Sequence, residues 1–537
     1  MKKKRLLSLG LLLVLVLSTI LAACSSDKKD DATGNKDSGD SKKEKILVFG
    51  RGGDSVSLDP ITVTDGESFK VTQNVFETLI NFGEQDTKLQ PNLATKWEAS
   101  EDGLTYTFEL QEGVKFHDGT DFNAEAVVKN FERWMSGDAE KFPYFASMFG
   151  GFKGDKEAVI KEVKADGDYK VVITLNRAQA PFLKNLAMSP FGIASPTAFE
   201  KEGDKFGDNP VGTGPFKFVS WKRNDSVTIE KNKDYWKEGL PKLDKVIFRS
   251  IPDNSARLNA LNTGEIDLAD GIIPSDAASI QSNSKLQIFE RPSMNVGYLG
   301  LTVTRPPFDN VKVRQAVNHA IDKQAIIDAF FEGKAEIAKN PMPSVIEGYN
   351  DEVKGYDYNP EKAKALLKEA GYDGKQIELW AMPVPRPYMP DGQKVAEAIQ
   401  KNLEDVGIKS KIVSYEWATY LDKAAKGEAD AFLLGWTGDN GDADNFLYTL
   451  LDESNIGSNN YTFFKNKETH KLLLEAQTET DEAKRNELYK KAQVILAEEA
   501  PWVPLAHSTP LLAGKADIVD FKPHPTGSDI LSKIDFK

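Results

Sequence analysis

The feature that most constrains the fold is a regular alternation of helical and strand patterns in the second half of the chain. Apolar residues recur at helical spacing over 311–331, and an interruption of the stripe at Gln324 indicates two helices there. Proline begins and glycine ends a predicted helix over 360–371. The other predicted elements are strands over 376–382, 410–415 and 429–435, and helices over 394–406 and 482–499. Strands that alternate with helices predict a mostly parallel sheet covered by helices.

The first half of the folded region is richer in strands. Strict alternation of apolar and polar residues over 104–110 is typical of a half-buried strand, and similar patterns predict strands at 45–49, 168–175 and 226–230. A chain of 537 residues is too long for one ordinary core, so two or three packed units are expected. The predicted class is α/β with mixed sheets covered by helices.

The start of the chain is typical of a secretory signal peptide. Four basic residues precede an apolar stretch over 6–21, and small residues stand just before Cys24. The stretch is short for a membrane-spanning helix, and an uncleaved membrane anchor is the alternative. Leu-Ala-Ala-Cys at 21–24 resembles the bacterial lipobox, which implies removal of residues 1–23 and lipidation of Cys24. Residues 24–44 are then the lipidated cysteine and a polar, flexible linker.

Composition and motifs exclude several classes of function. The formal charge of -14 argues against nucleic acid as a partner, because phosphate binding requires a basic surface. Cys24 is the only cysteine, so no intramolecular disulfide can form. No Gly-x-Ser-x-Gly elbow, Walker loop or paired metal-ligand spacing occurs. The histidines are scattered, at His117, His319, His470, His507 and His524. The sequence therefore predicts a protein that is not an enzyme and has no cofactor or metal.

Two loops that follow predicted strands carry charges of opposite sign. Residues 380–388 (WAMPVPRPY) contain Arg386 between prolines, and residues 435–445 (GWTGDNGDADN) contain Asp439. In open α/β sheets ligands bind at the carboxyl ends of the strands, so we expect these loops to form a site. Arg386 can hold a carboxylate with its two-pronged guanidinium, and Asp439 can accept from an ammonium. A short peptide carries both groups; flat apolar walls would come from Tyr388 and Trp436.

Plainer interpretations of the same loops stay open. An arginine in a proline-rich loop is often only a surface residue, and aspartates beside glycines are often turn residues. A calcium loop is a third interpretation of the aspartates. Twelve residues counted from Asp439 end at Leu450, however, where an EF-hand requires glutamate.

The chain resembles the family 5 solute-binding proteins, the peptide and nickel receptors of ABC importers. Five segments carry the resemblance: 93–98 (LATKWE), 100–108 (SEDGLTYTF), 113–119 (GVKFHDG), 209–216 (NPVGTGPF) and 311–316 (VKVRQA). The resemblance implies a two-lobed, class II periplasmic-binding-protein-like fold with a hinge between the lobes. One lobe would comprise residues 45–295 with 508–537 returning to it, and the other would comprise residues 296–507.

Within that family the two loops look like those of the dipeptide-binding branch. The resemblance implies that Asp439 pairs with the α-ammonium of a peptide and Arg386 with its α-carboxylate. The other implied ligand-binding residues are Pro387, Tyr388, Trp436, Thr437, Gly438 and Thr64. The chain differs from the Gram-negative dipeptide receptor because it lacks paired cysteines and has a lipobox, as suits a Gram-positive surface protein.

The implied protein is a monomeric receptor, lipid-anchored at the extracytoplasmic face of the cell membrane. It captures short peptides, with dipeptides expected, and delivers them to the permease subunits of an ABC importer. Glutathione, haem or a metal chelate are the alternative ligands within the family. A surface lipoprotein that acts as a hydrolase, or a signalling or chaperone lipoprotein, is the alternative from another class.

Overall fold

The computed structural model of the chain describes residues 44–537. The predicted signal peptide (1–23), the predicted lipidation of Cys24 and all but the last residue of the predicted linker (24–44) lie outside the described residues. The described part contains 21 strands: β1 (Ile46–Arg51), β2 (Ile80–Phe82), β3 (Leu89–Pro91), β4 (Ala94–Ala99), β5 (Thr105–Leu110), β6 (Ile160–Ala165), β7 (Lys170–Leu175), β8 (Phe216–Lys222), β9 (Ser226–Lys231), β10 (Lys245–Ser250), β11 (Leu268–Ile272), β12 (Leu286–Glu290), β13 (Asn295–Leu301), β14 (Ala335–Ile337), β15 (Ile377–Trp380), β16 (Ser410–Val413), β17 (Ala431–Thr437), β18 (Trp502–Ser508), β19 (Leu511–Lys515), β20 (Ile518–Val519) and β21 (Asp535–Phe536).

The same residues, 44–537, form fifteen α-helices: α1 (Gly66–Thr72), α2 (Ala124–Met135), α3 (Pro143–Phe149), α4 (Phe182–Leu186), α5 (Pro196–Glu202), α6 (Asn254–Thr263), α7 (Ala277–Gln281), α8 (Val311–Ala320), α9 (Lys323–Phe330), α10 (Pro360–Glu369), α11 (Gly392–Asp405), α12 (Trp417–Ala425), α13 (Asp444–Leu451), α14 (Lys467–Thr478) and α15 (Glu482–Glu499). Short 3₁₀ helices occur at Pro60–Thr62, Ser189–Phe191, Gly203–Asp208, Pro274–Asp276 and Glu453–Asn455. Within this range, no helix combines the length and the apolar character that crossing a bilayer requires.

Two sheets built mainly from the first half of the chain form what we call lobe I. The larger has seven strands in the order β12-β19-β11-β1-β10-β9-β8, with β1 parallel to both of its neighbours. The smaller is antiparallel, in the order β4-β5-β7-β6. In β7 every second side chain is buried, which is the alternation seen in the sequence. Strand β19 lies near the C-terminus, so the end of the chain returns to this lobe.

The six-stranded sheet β14-β18-β13-β17-β15-β16 and its helices form what we call lobe II. The buried apolar side chains of its core all lie between Met294 and Ala506. Only the β15–β16 and β15–β17 pairs are parallel, whereas β13 is antiparallel to β17 and β18. The prediction of a mostly parallel sheet is therefore wrong. The antiparallel pairing has a physical reason. The chain enters the lobe along β13 and leaves it along β18, and antiparallel neighbours need no helical crossover between them.

Most of the elements predicted for the second half are confirmed. Residues 311–331 form two helices, α8 and α9. Helix α10 begins at Pro360, where the side chain of Asn359 accepts a hydrogen bond from Lys362 N. Helix α15 spans Glu482–Glu499, begins after the capping residue Asp481 and ends before proline. Caps and prolines therefore set these helix boundaries.

The chain passes between the lobes twice, from β12 to β13 and from β18 to β19. The two crossings lie side by side: Arg291 N donates to the carbonyl of Pro510 at 2.9 Å. The Asn295 side chain donates to the carbonyl of Ser508 at 2.9 Å and accepts from Ser508 N at 3.0 Å. Two short, adjacent connections are the geometry of a hinge. The lobe boundaries 295/296 and 507/508 stay predictions.

Candidate ligand-binding site

Two parallel neighbours in lobe II, β15 and β17, set the position of both predicted loops. Leu379 pairs with Ala431 and Trp380 with Phe432, so the strands run in the same direction. The loops that follow them leave the sheet at the same edge, as expected from the strand pattern.

A single amide side chain organises the loop that carries Asp439. Asn445 Oδ1, at the start of α13, accepts from Trp436 Nε1 at 3.0 Å and from Asp439 N at 2.9 Å. Asn445 Nδ2 donates to Asp439 Oδ2 at 3.1 Å. Gly438 N donates to the carbonyl of Met294 at 2.8 Å. The half-buried indole of Trp436 and the carboxylate of Asp439 are thus held to one residue, which orients both.

Asp439 is a partly buried carboxylate that lacks a cation. Its remaining side-chain partner is the hydroxyl of Tyr144 from α3, which donates to Asp439 Oδ1 at 3.1 Å. Among residues 44–537 it forms no ion pair within 4.0 Å. Burial raises the pKa of its carboxyl to about 6, against the opposing effect of the bonds from Asn445 and Tyr144. A carboxylate in this setting can form an ion pair with an ammonium group that enters the site.

Arg386 lies at the start of a tight turn. Arg386 N donates to the carbonyl of Met389 at 3.0 Å, and Met389 N donates back at 2.9 Å. Exposed Pro387 is the second residue of this turn, where its fixed φ suits the geometry. The Arg386 side chain is exposed, and its Cζ lies 5.5 Å from the centre of the Trp417 ring. The guanidinium is therefore positioned by the ring of Trp417 and accessible from solvent.

The turn is seated on the sheet by Tyr388. This side chain is buried, and its ring packs over Gly435 of β17: a Cβ at that position would lie 2.2 Å from Tyr388 Cδ2. The carbonyl of Tyr388 approaches Gly297 of β13 as closely, 2.3 Å from a Cβ built there. Only glycine permits both contacts. Tyr388 thus acts here as a packing residue that fixes the turn, and the open wall expected from the sequence is not what its burial shows.

The remaining predicted residues lie at the ends of elements. Half-buried Thr437 is the last residue of β17 and pairs with Asn295. Thr64 belongs to lobe I and is exposed just before α1, whose capping residue Asp65 accepts from Ser68 N at 2.8 Å. Phe69 in that helix lies 5.9 Å from the ring of Tyr144. The ligand-binding roles of Thr64, Pro387 and Thr437 stay predictions.

The other two aspartates of the loop are used within the protein. Asp442 receives two bonds from Arg485 of α15, at 2.8 and 2.7 Å. Although burial opposes it, Arg485 and Lys184 lower the pKa of Asp442 to about 2. Burial and the neighbouring Asp442 raise the pKa of Asp444 to about 7. Within residues 44–537 no group of three His, Cys, Asp or Glu side chains has the arrangement of a metal site.

Side chains of lobe I also bind the loop that carries Asp439. Lys184 Nζ donates to the carbonyl of Gly441 at 3.0 Å and lies 3.8 Å from Asp442 Oδ2. Asn440 Nδ2 donates to Asn185 Oδ1 at 2.8 Å. With the Tyr144–Asp439 bond, these contacts make the 438–444 loop one of the places where the lobes meet.

A cavity of about 940 Å³ adjoins Asp439 on the lobe I side, and we call it the chamber. Tyr144, Phe69 and Gln73 line it beside Asp439. Its other walls are the β2–β3 hairpin, residues 187–192 and the C-terminal segment 520–533. Arg386 is not among its lining residues in the described part of the chain.

Two helix-covered lobes, joined by paired crossings and meeting at a charged loop, define a solute-binding protein of the two-lobed class. The chain belongs to the bacterial extracellular solute-binding proteins of family 5: the profile described as "Bacterial extracellular solute-binding proteins, family 5 Middle" matches residues 88–458.

Relatives cover nearly the whole chain. Heme-binding protein A of Haemophilus influenzae is 38% identical over 524 residues, which is 95% of this chain and 96% of that protein. The dipeptide-binding protein of Escherichia coli is 39% identical over 503 residues, 91% of this chain and 94% of that one. The dipeptide-binding protein of Pseudoalteromonas sp. SM9913, solved in complex with Met-Leu, has a TM-score of 0.82 at 30% identity and covers 92% of this chain and 100% of its own.

Three residues of the site were missed from the sequence. Asn445 could have been suspected, because it lies six residues after Asp439 in the same polar run. Tyr144 and Lys184 had no such signal. Both lie in lobe I, almost 300 residues from the loop in sequence for Tyr144, and only the packing of the lobes brings them to it.

Proposed function

We propose that this protein is a non-enzymatic receptor that captures short peptides, dipeptides above all, by their charged ends. The observation that carries the proposal is Asp439: a partly buried carboxylate, oriented by Asn445 and Tyr144 and without a cation. The α-ammonium of a peptide supplies the missing charge and three donors. Each charge-assisted bond contributes ~1.5–3 kcal/mol, and a micromolar affinity requires about 8 kcal/mol. Two such ends with a few backbone bonds therefore suffice.

Arg386 provides the second end. It lies at the same sheet edge as Asp439, on a turn that is braced by Tyr388 and stacked on Trp417. An exposed guanidinium is free to form a two-pronged bond to the α-carboxylate of a ligand. The relatives named for dipeptide binding, and the complex with Met-Leu, support a peptide as the ligand.

Ligand capture is coupled to closing of the lobes in this proposal. The 438–444 loop presents Asp439 and also receives Tyr144, Lys184 and Asn185 from lobe I. A ligand that contacts this loop favours the closed form by its differential affinity for that state. The closed receptor then delivers the peptide to the permease of an ABC importer.

The receptor acts at the extracytoplasmic face of the membrane, attached through lipid on Cys24. The signal-peptide pattern and the lipobox support this location. Mass spectrometry of the native protein tests it: Cys24 as the modified N-terminal residue is expected, and an unmodified or uncleaved N-terminus contradicts the anchor.

Haem is less well supported as the ligand, although one relative is named for it. His524 lines the chamber, but its Nδ1 contacts Thr526 Oγ1 at 2.7 Å and its Nε2 contacts the carbonyl of Asp86 at 3.1 Å. Neither nitrogen is free to serve as an axial ligand without breaking these bonds.

Calorimetry with Ala-Ala, N-acetyl-Ala-Ala and tetraalanine tests the two-ended clamp. Ala-Ala is expected to bind near micromolar affinity, and acetylation to abolish binding because it removes the ammonium. Asp439→Asn and Arg386→Gln should each weaken binding about 10- to 100-fold. The matched surface controls, Asp517→Asn and Arg223→Gln, should have no effect, since both residues are exposed. Undiminished binding of the acetylated peptide would show that Asp439 does not hold the ammonium.

A further inference from the structure

The chamber begins where the proposed peptide has its ammonium. Asp439 and Tyr144 are both lining residues, and the Cα of a peptide's first residue is bonded directly to the ammonium nitrogen. The peptide main chain must turn toward Arg386, which does not line the chamber in the described structure. The group left to enter the chamber is therefore the side chain of the first residue.

Apart from Asp439, the chamber is lined within residues 44–537 by equal numbers of lysines and carboxylates, and each lysine contacts a carboxylate; Asp86 is the lining carboxylate that contacts none of them. Lys522 contacts Glu84 at 2.5 Å, Lys242 contacts Asp520 at 2.8 Å and Lys237 contacts Glu77 at 3.2 Å. Lys533 also contacts Glu84. Among the described lining residues the carboxylate beside the peptide is Asp439, which the ammonium would neutralise. An anionic side chain that enters loses hydration without meeting a free cation.

The rest of the lining is uncharged: it includes aliphatic side chains such as Met188, Leu240 and Ile530, and two further kinds of group. Amide and hydroxyl groups come from residues such as Gln73, Asn81, Ser189, Thr526, Ser528 and Ser532, and aromatic rings come from Phe69, Phe76, Phe82 and Tyr235. Gln73 Oε1 accepts from Ser189 Oγ at 3.1 Å, while its buried Nε2 has no partner among the described residues. An uncharged group that offers acceptor oxygens satisfies such donors, whereas an aliphatic group leaves them unpaired.

The chamber is larger than any standard side chain requires. Its volume of about 940 Å³ is on the order of that occupied by thirty water molecules. A sugar ring presents hydroxyl groups at its edge and C–H groups on its faces. This combination matches amide and hydroxyl walls interleaved with aromatic rings.

We propose that the chamber receives the first side chain of the peptide and selects uncharged, oxygen-rich groups, up to a serine or threonine that carries one sugar. The assignment presupposes the peptide clamp proposed above and adds the chemical class of its first residue. An anionic group is rejected because each lining lysine already contacts a carboxylate.

The test compares dipeptides that differ only at the first residue, by calorimetry on the purified protein. The ligands are Ala-Ala, Gln-Ala, Glu-Ala, O-(N-acetylglucosaminyl)-Ser-Ala and the reversed Ala-O-(N-acetylglucosaminyl)-Ser. Gln-Ala and the glycosylated Ser-Ala should bind at least as tightly as Ala-Ala and at least tenfold more tightly than Glu-Ala. The reversed peptide should bind at least tenfold more weakly than its isomer.

Two variants and one control variant locate the effect. Ser528→Trp fills the chamber and should weaken glycosylated Ser-Ala at least tenfold while Ala-Ala changes less than twofold; retained Ala-Ala binding also shows that the variant is folded. Ser275→Trp, the same change at an exposed serine of lobe I, should alter neither. Gln73→Met keeps the size of the side chain and should remove the advantage of Gln-Ala over Ala-Ala.

The outcomes separate the two proposals. If Ala-Ala binds but Glu-Ala equals Gln-Ala, or the reversed glycopeptide equals its isomer, the chamber assignment is refuted and the clamp stands. Glycosylated Ser-Ala that still binds fully to Ser528→Trp also refutes the assignment. If no dipeptide binds, the clamp itself is wrong and the assignment falls with it.

Discussion

Dipeptide affinity should fall about tenfold between pH 7 and pH 5, because Asp439 must be ionised to bind an ammonium. Burial raises the pKa of this carboxyl to about 6 in the ligand-free protein. A protonated carboxyl cannot form the charge-assisted bond. Acid therefore removes the form of the receptor that is competent to bind.

The magnitude follows from the fraction of ionised carboxyl. With a pKa near 6, about 90% of the Asp439 side chains are ionised at pH 7 and about 10% at pH 5. The apparent dissociation constant is inversely proportional to this fraction, so it rises about tenfold. The peptide contributes little to the change, since an α-carboxyl titrates near 3.5 and an α-amino group near 8.

The assay is calorimetry with Ala-Ala at pH 5, 6 and 7. Repetition in buffers of different ionisation enthalpy should show a proton released on binding at pH 5 and almost none at pH 7. Asp439→Asn should bind weakly with no dependence on pH over this range. Asp444→Asn is the matched control, because burial and Asp442 raise the pKa of Asp444 to about 7, and it should keep the pH dependence of the parent protein.

A wild-type affinity that is constant from pH 5 to pH 7 would refute the reasoning about Asp439. An equal pH dependence in Asp439→Asn would place the titrating group elsewhere, and loss of the dependence in Asp444→Asn would identify that group.

Three further predictions concern stability and kinetics. Asp439→Asn should stabilise the ligand-free protein above pH 6 by up to about 3 kcal/mol and have no effect below about pH 4. The reason is that the folded-state pKa of Asp439 is raised, so its ionised form opposes folding. Thermal unfolding of the variant and the parent protein at both pH values measures the difference in stability. Lys184→Met should speed peptide dissociation about tenfold with association unchanged, by stopped-flow, because the lobes lose the contact to Gly441; exposed Lys156→Met is its control. Arg485→Met should cost about 3 kcal/mol in denaturant unfolding, since buried Asp442 loses both bonds from Arg485 and keeps only one cation among the described residues, Lys184 at 3.8 Å. A loss below about 1 kcal/mol would contradict this.

Local elements of lobe II were predictable because their signals are local. The boundaries of α15 agree with the prediction of 482–499, since an aspartate caps its start and a proline follows its end. The sheet was not predictable in the same way. The pairing of β13 with β17 and β18 joins strands far apart in the chain, and neither strand's own residues specify its partner.

The sequence by itself determined the two charged loops of the site, because each follows a strand and parallel strands end at one edge. It also carries the pattern around Cys24 that predicts export and lipidation, which depends on adjacent residues alone. Only the tertiary structure decided what surrounds Asp439. Tyr144 and the chamber walls come from segments spread from α1 to the C-terminus. The raised pKa of Asp439 depends on burial and on missing counter-charge, which are properties of packing between distant segments and have no local signature in the chain.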